Sequence, residues 1–347
     1  MNQNIFFGLI LIATGAFSSG SFAIPFGRIK GWAWESYWLV FSLGAYIIFP
    51  LAACLIFSHG FIEVFRTVKP GILWLVFLLG AVYGIGNLSF GLSLRYLGIS
   101  LGYALSLGLM LAIGTLIPPI IDGRLKIMMA GSGGNLLIIG VLVAVAGIGL
   151  TGWTGYLKDQ KISDAEKKLS VSEFNFLKGV IAAILVGITG SAMSLGFEQG
   201  LQIAEMAQKT GIDPLFITMP VMLILLSGTF ITTIIWCIYL GLKNKSLGDY
   251  VRSTPNKRLS LNYLFALMAG LLWFSQFILF GMGKSKMGPF TFTSWGILMG
   301  LTIVFATLWG LFRKEWKGAQ TKIYLLLAIS LMIIICSSYI IGISGSK

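Results

Sequence analysis

Tyr83 and Asn87 stand four residues apart in a run from Leu79 to Thr115 that carries one charge, Arg95, in 37 residues. On a helix that spacing puts both side chains on one face. Trp273 and Gln276, three apart in a second uncharged run, nearly share a face as well. An aromatic ring beside an amide suits a neutral polyol: the ring stacks on apolar C–H faces, and the amide hydrogen-bonds hydroxyls. A few such groups converging in an apolar cavity make a site. Ser294 and Trp295, in FTFTSWG, offer one more hydroxyl and ring. The competing reading is packing, with the rings filling helix contacts and the amides bonding helix to helix.

Proton chemistry needs a group that changes charge. Across the apolar stretches Glu198 is the single ionisable acid or base, and an intramembrane ionisable group is a functional candidate by default. Glu35 is the second candidate; capping a helix start and pairing with Arg28 or Lys30 is its competing role. Arg95 reads as a topology marker, and Asp122, Asp213 and Glu315 as turn or cap residues. Cys54, Cys237 and Cys336 are widely separated and read as apolar fillers, without metal spacing or a disulfide framework. His59 is the one histidine and falls in a loop. A membrane enzyme would need clustered His, Asp or Glu, or a nucleophile with a base, and that class is disfavoured.

The elements that position these residues are membrane spans. Hydrophobic residues make up 56% of the 347-residue chain and charged ones 11%; mean hydropathy is +0.89. A span needs about 20 apolar residues. Ten stretches qualify, near 5–26, 37–57, 71–92, 99–121, 136–155, 179–199, 215–241, 262–282, 290–312 and 323–343. The third and fourth are joined by an Arg95-Tyr96-Leu97-Gly98 turn. The net charge of +13 is unevenly spread: 17 Lys and Arg fall in odd-numbered connections and 8 in even ones and the C-terminus. That imbalance is the positive-inside signal, placing odd connections in the cytoplasm and both termini outside, with no nucleic-acid partner implied. Trp32, Trp34, Trp38 and Trp316 sit at span ends and read as an interfacial belt.

The halves repeat. A shift of 190 residues brings Gly80 onto Gly270, Tyr83 onto Trp273, Phe90-Gly91 onto Phe280-Gly281 and Gly98 onto Gly288. Five spans per half is an odd number, so the copies are inverted, as in many secondary transporters. The expected organisation is all-α: residues 1–156 a first five-helix repeat, 157–178 a solvated cytoplasmic linker, and 179–347 a second repeat.

PFGRIKGWAWESYW (25–38), YGIGNLSFGLSLRYLGISLG (83–102), GTLIPPIIDG (114–123), GIDPLF (211–216), LLWFSQF (271–277) and KEWKGA (314–319) resemble, in order, the signature segments of the L-rhamnose–proton symporter family. The resemblance runs over essentially the whole chain. It implies a branch of the drug/metabolite transporter superfamily, with ten helices in two inverted repeats. It also implies import of L-rhamnose or a related deoxyhexose with a proton across a bacterial inner membrane, by alternating access and without a cofactor. Na⁺ is the alternative coupling ion, and another drug/metabolite-type carrier or exporter the alternative function. Glu198 stands where the family pattern carries an uncharged amide.

Overall fold

The computed structural model describes residues 3–121, 123, 132–161, 171, 173–251, 258–287 and 294–344, and these contain helices and turns but no strand. In chain order the helices are α1 (Gln3–Ser21), α2 (Trp34–Leu43), α3 (Phe49–Phe57), α4 (Phe61–Thr67), α5 (Pro70–Ile121) and α6 (Ser132–Lys161), followed by α7 (Phe176–Gln199), α8 (Leu201–Lys209), α9 (Met219–Lys243), α10 (Leu259–Ser285), α11 (Ser294–Phe312) and α12 (Thr321–Ser344). Among the described residues eight helical segments are long and apolar enough to cross a membrane, and Ile297–Phe312 is a shorter apolar helix. The cause is elementary. In hydrocarbon every backbone N–H and C=O must be paired within the protein, and a helix pairs them within itself. Large apolar side chains such as Leu142, Ile235 and Met332 remain more than 60% exposed, as lipid-facing residues should.

Two of these helices are interrupted. α5 is broken at Gly98, whose φ of 83° and ψ of 176° leave the helical region, so one residue does the work expected of a four-residue turn. Between α2 and α3 the chain makes a π-helical turn, Gly44–Ile48. Pro50 explains it, because proline has no N–H to give the Tyr46 carbonyl four residues back.

The chain divides into two compact units. The first comprises Met1–Gly20, Gly86–Ser191 and Met282–Lys347. Its core joins Leu97, Leu101 and Leu105 of α5 to Val141, Ala144 and Ile148 of α6, and to Ile323 and Leu327 of α12. Glycines set the spacing of α6 against α12: a Cβ at Gly140 would lie 2.7 Å from Ile341, and one at Gly147 2.9 Å from Ile334.

The second unit comprises Ser21–Ile85 and Ala192–Gly281. Here glycines press onto backbone. Gly80 of α5 packs on the Leu225 carbonyl of α9, and Gly228 returns the contact to the Phe77 carbonyl. Gly270 of α10 packs on the Phe41 carbonyl of α2, where a Cβ would come within 2.9 Å; at Gly44 a Cβ would meet Leu267 at 3.1 Å. Small residues at such crossings let helix backbones approach and gain dispersion and hydrogen bonding. Thr229 and Thr232 use that approach, donating to the Gly80 carbonyl at 3.0 Å and the Ala81 carbonyl at 2.7 Å.

Candidate functional site

In the second unit an aromatic cluster forms because α2 places Trp34, Trp38 and Phe41 at helical spacing and the π-helical turn swings Tyr46 toward α10. Trp34 and Trp38 stack with centroids 5.1 Å apart, and Phe41 lies 4.9 Å from Trp38. Trp273 meets Tyr46 at 5.2 Å and Phe277 at 5.2 Å, both near edge-to-face. Such geometry favours the ring quadrupoles and rigidifies the cluster. Tyr83 is buried in the same unit. Gln276 is buried too, its Nε2 donating to the Trp273 carbonyl at 2.8 Å on its own helix. Tyr46 and Trp38 were absent from the sequence-based set. Pro50 was the signal for Tyr46; for Trp38 the pattern pointed to the bilayer interface.

Trp32, Trp34, Trp38 and Trp316 do not form an interfacial belt, since all four are buried inside their own units. Trp38 is 1% exposed, and its indole N–H has no partner among the described residues. The indole N–H groups of Trp32 and Trp316 share that condition, although buried donors are nearly always satisfied.

The same unit ties its charged end with two carboxylates. Glu35, 2% exposed, accepts from Asn244 Nδ2 at 2.9 Å and Ser246 Oγ at 2.6 Å. Capping of α2 falls to Asp249 instead, whose Oδ2 accepts from the Ala33 N–H and the Ser36 hydroxyl, each at 2.8 Å. Asn262 clamps the Lys30 backbone by accepting its N–H at 3.1 Å and donating to its carbonyl at 2.8 Å. Glu198 is half-buried near the end of α7. Asp213 makes a local turn, accepting from the Leu215 N–H at 2.8 Å. Burial raises the Tyr250 phenol above its ordinary value.

In the first unit buried hydroxyls bridge the helices. Tyr103 donates to the Ser19 carbonyl at 2.6 Å and packs edge-on to Phe90 at 5.1 Å. Ser93 and Ser106 are 2.9 Å apart across the Gly98 break. Asn87 is 3% exposed. Ser294 is fully buried, with no hydroxyl partner among the described residues. The side chain of Trp295 lies outside the described residues, as do Asp122 and Gly288.

Sequence reading missed the charged end of this unit. The sequence places Lys158 in a solvated linker, yet it is 1% exposed, because α6 runs on to Lys161 and carries it inward. Its Nζ sits 4.8 Å from the Trp316 ring centre and 5.3 Å from that of Phe174. Arg95, read as a topology marker, makes a two-point pair with Glu173 at 2.7 and 2.8 Å. Glu315 is 4% exposed and caps a helix start far from its own turn. Among the described residues no cluster of His, Cys, Asp and Glu could hold a metal ion.

Long apolar helices with a sparse set of buried amides, hydroxyls and rings make a multi-pass membrane protein, and the match to a family of symport proteins makes it a transporter, not an enzyme. The sequence matches the family described as L-rhamnose-proton symport protein (RhaT) over residues 1–346, and the chain belongs to that family. It is 33% identical over 346 residues to the L-rhamnose-proton symporter of Yersinia pestis (strain Pestoides F), covering 99% of this chain and 98% of that one. It is 32% identical over 345 residues to the symporter of the same name from Shigella dysenteriae serotype 1 (strain Sd197), covering 99% of each. No solved structure matches the chain.

Proposed function

We propose that this protein imports L-rhamnose, or a closely related deoxyhexose, in symport with a proton across a bacterial inner membrane by alternating access. The observation that carries the reading is the end-to-end match to relatives named for that activity. The buried aromatic and amide chemistry suits a neutral sugar: Trp273, Tyr83 and Gln276, joined by Tyr46 and Trp38, in one unit, and Asn87 and Ser294 in the other. Trp295 is retained on sequence grounds. Glu198 and Glu35 are the proton-coupling candidates from the sequence.

The proposed architecture is ten crossings in two inverted repeats, residues 1–156 and 179–347 flanking the 157–178 linker. Counting α5 as two spans split at Gly98, and adding Ile297–Phe312, brings eight to ten. The glycine crossings support the repeat. A shift of 184 residues takes Phe41 and Gly44 onto Leu225 and Gly228, while 190 takes Gly80 onto Gly270. The α5–α9 crossing thus corresponds to the α10–α2 crossing, glycine on matching carbonyl in both. Contacts between connections support the topology. In the second unit the connection before α2 meets the one after α9, through the Ala33 N–H donating to Asp249 Oδ2. Ser58, after α3, meets Phe216, before α9, with its hydroxyl donating to the carbonyl at 3.1 Å. In the first unit the turn after α11 meets the Gly98 break, through Glu315 with Ile99. Each pair joins odd to odd or even to even, as it must if parity sets the side. With odd connections cytoplasmic, both termini are periplasmic.

Uptake of labelled L-rhamnose into proteoliposomes with an imposed inward proton gradient tests the function. Concentrative uptake that collapses with a protonophore is expected; its absence would overturn the reading.

A further inference from the structure

The glycines of α6 do two different things. Gly140 and Gly147 seat the helix on α12, where a Cβ would strike Ile341 and Ile334. Along the row Gly155, Gly152, Gly149 the packing instead loosens turn by turn. A Cβ at Gly155 would stand 2.9 Å from the Phe176 ring of α7 and 3.0 Å from Leu101 of α5. One at Gly152 would meet only Leu105, at 3.8 Å, and one at Gly149 would meet nothing within 4 Å. The space left open is a groove of about 410 Å³, lined by α6, α7 and the arm of α5 that follows the Gly98 break. All of its lining lies in the first unit. Leu105 is buried within it, while Trp153, Tyr156 and Ile184 are exposed at its margins.

The groove is continuous with the surface that faces lipid. On α6, Leu142, Val145, Trp153 and Tyr156 are exposed at helical spacing, and Gly149 is a notch in their row. On α7, Leu177, Ile181, Ile184 and Ile188 form a second exposed row. The lining is hydrocarbon and aromatic, and its only polar side-chain groups are the Trp153 indole N–H and the Tyr156 hydroxyl. A sugar placed there would leave its hydroxyls without partners, which burial penalises. A helix from a second copy, about 10–12 Å across, is too thick to enter a space of this volume. An alkyl chain is slender, adapts its torsions and gains dispersion against the walls. The length agrees as well: Tyr156 lies about 12 Å along the helix axis from Ile148, against roughly 15 Å of hydrocarbon in one leaflet. The Trp153 and Tyr156 rings, 5.6 Å apart, then fall near the water-facing end, where aromatic side chains with a polar tip are favoured.

The geometry points to a lipid site: this groove binds one acyl chain of a membrane phospholipid, entering sideways from the leaflet on the side of the Gly98 break. The glycerol end lies by Tyr156 and Phe176, and the tail runs toward Ile148 and Leu109. The bound chain is a packing element of the first unit, filling against Leu105 and Leu109 what the glycines leave open. In the topology proposed above that leaflet is the cytoplasmic one. Occupancy of the groove depends neither on that topology nor on the substrate.

Photolabelling in nanodiscs tests the site, with phosphatidylethanolamine carrying a diazirine at a chosen depth in its acyl chain as the probe. In the wild-type protein a diazirine near the glycerol should mark Tyr156 and Phe176, and one near the chain end Ile148 and Leu109. These adducts should be several-fold enriched over those at Ile235 and Met332, which are exposed on other helices. Gly149→Leu puts a side chain into open space, and it should lose the Ile148 and Leu109 adducts while keeping those at Ile235. Equal labelling of groove and control positions, the reverse order of depth, or adducts unchanged by Gly149→Leu would overturn the proposal. A dimer in the nanodisc with the groove adducts absent would also overturn it, in favour of a second copy. Thermal stability in detergent is the second measurement. Adding phosphatidylethanolamine should raise the melting temperature of the wild-type protein. Gly149→Leu, with a better helix former and the groove filled, should start higher and gain less. A lipid response equal in the two proteins would count against the site. If Gly149→Leu does not fold, Gly152→Leu decides by the same loss of adducts, since its Cβ has ordinary room beside Leu105.

Discussion

The unit built from Ser21–Ile85 and Ala192–Gly281 and the unit that holds the remaining spans solve one packing problem with different materials. The former presses glycine onto carbonyl at two crossings and fills the remaining space with stacked rings. The latter has such a crossing at Gly8 and Gly283, which face each other's carbonyls, but it seats α6 against α12 on larger side chains, as at Gly140 against Ile341, and threads serine and tyrosine hydroxyls between its helices. Each also buries a carboxylate at its charged end. Glu35 meets the amide of Asn244 and the hydroxyl of Ser246, whereas Glu315 meets two main-chain amides within the field of Lys158. Side-chain donors can reorient around a carboxylate; main-chain amides at a helix start cannot. Glu35 therefore reads as a fastener, and Glu315 as a group whose charge state matters to the backbone it holds.

The largest effect should come from the glycine crossings. Gly80→Leu drives a side chain into the Leu225 backbone, and Gly270→Leu does the same at Phe41. Neither backbone can yield as a side-chain tip would, so each substitution should cost about 3 kcal/mol or more. The expected readout is loss of the monodisperse protein peak on fluorescence-detected size exclusion. Equal losses at the two positions support the inverted pairing; a tolerated leucine at one and not the other breaks it.

Next come the carboxylates. Glu35→Ala strands the Asn244 amide and the Ser246 hydroxyl and should cost about 1–3 kcal/mol, read as a lower melting temperature in detergent. Glu315→Ala strands two helix-start amides and leaves Lys158 without its nearby carboxylate, so its loss should be the greater of the two. A larger loss at Glu35 would remove the distinction drawn between them.

The aromatic cluster is tested by transport. Trp273→Leu keeps an apolar side chain but removes the ring faces shared with Tyr46 and Phe277. Aromatic contacts of this kind contribute about 0.5–1.5 kcal/mol beyond area. The apparent KM for L-rhamnose should therefore rise by about threefold to tenfold, with folding retained. An unchanged KM would reduce Trp273 to a packing residue.

The spans were legible because uninterrupted apolar runs have one physical solution in a bilayer; Tyr83 and Trp273 stand out in such runs as polar aromatics, and both are buried. The capping role of Glu315 was half legible. A turn or cap residue was expected, and nothing in local spacing says that a carboxylate will serve an amide 216 residues away. Lys158 was misread because a basic residue in a charged stretch resembles solvated linker; only the continuation of α6 carries it under Trp316. The tryptophans were misplaced for a related reason. Position at a span end is the same for a ring facing lipid and for one facing its own unit, and the difference lies in helix rotation.

The smallest effects separate the two units most finely. Thr232→Val removes the hydroxyl that reaches the Ala81 carbonyl at 2.7 Å while keeping the β-branched shape. That carbonyl lies inside α5, where the helix ladder already supplies an acceptor's partner, so nothing is stranded and the loss should be near the membrane average of about 0.6 kcal/mol. Ser93→Ala removes a hydroxyl 2.9 Å from the buried Ser106 Oγ and leaves that oxygen without this partner. Its cost should be about 1–2 kcal/mol, since an unsatisfied buried group costs more than a lost bond contributes. Measured as free energies of reversible unfolding in mixed micelles, with Ser93→Ala/Ser106→Ala closing a double-mutant cycle, the serine pair should show a coupling that the threonine contact lacks. Equal costs with no coupling would mean that the hydroxyl network is as dispensable as a single interhelical bond, and the contrast between the units would then rest on their carboxylates alone.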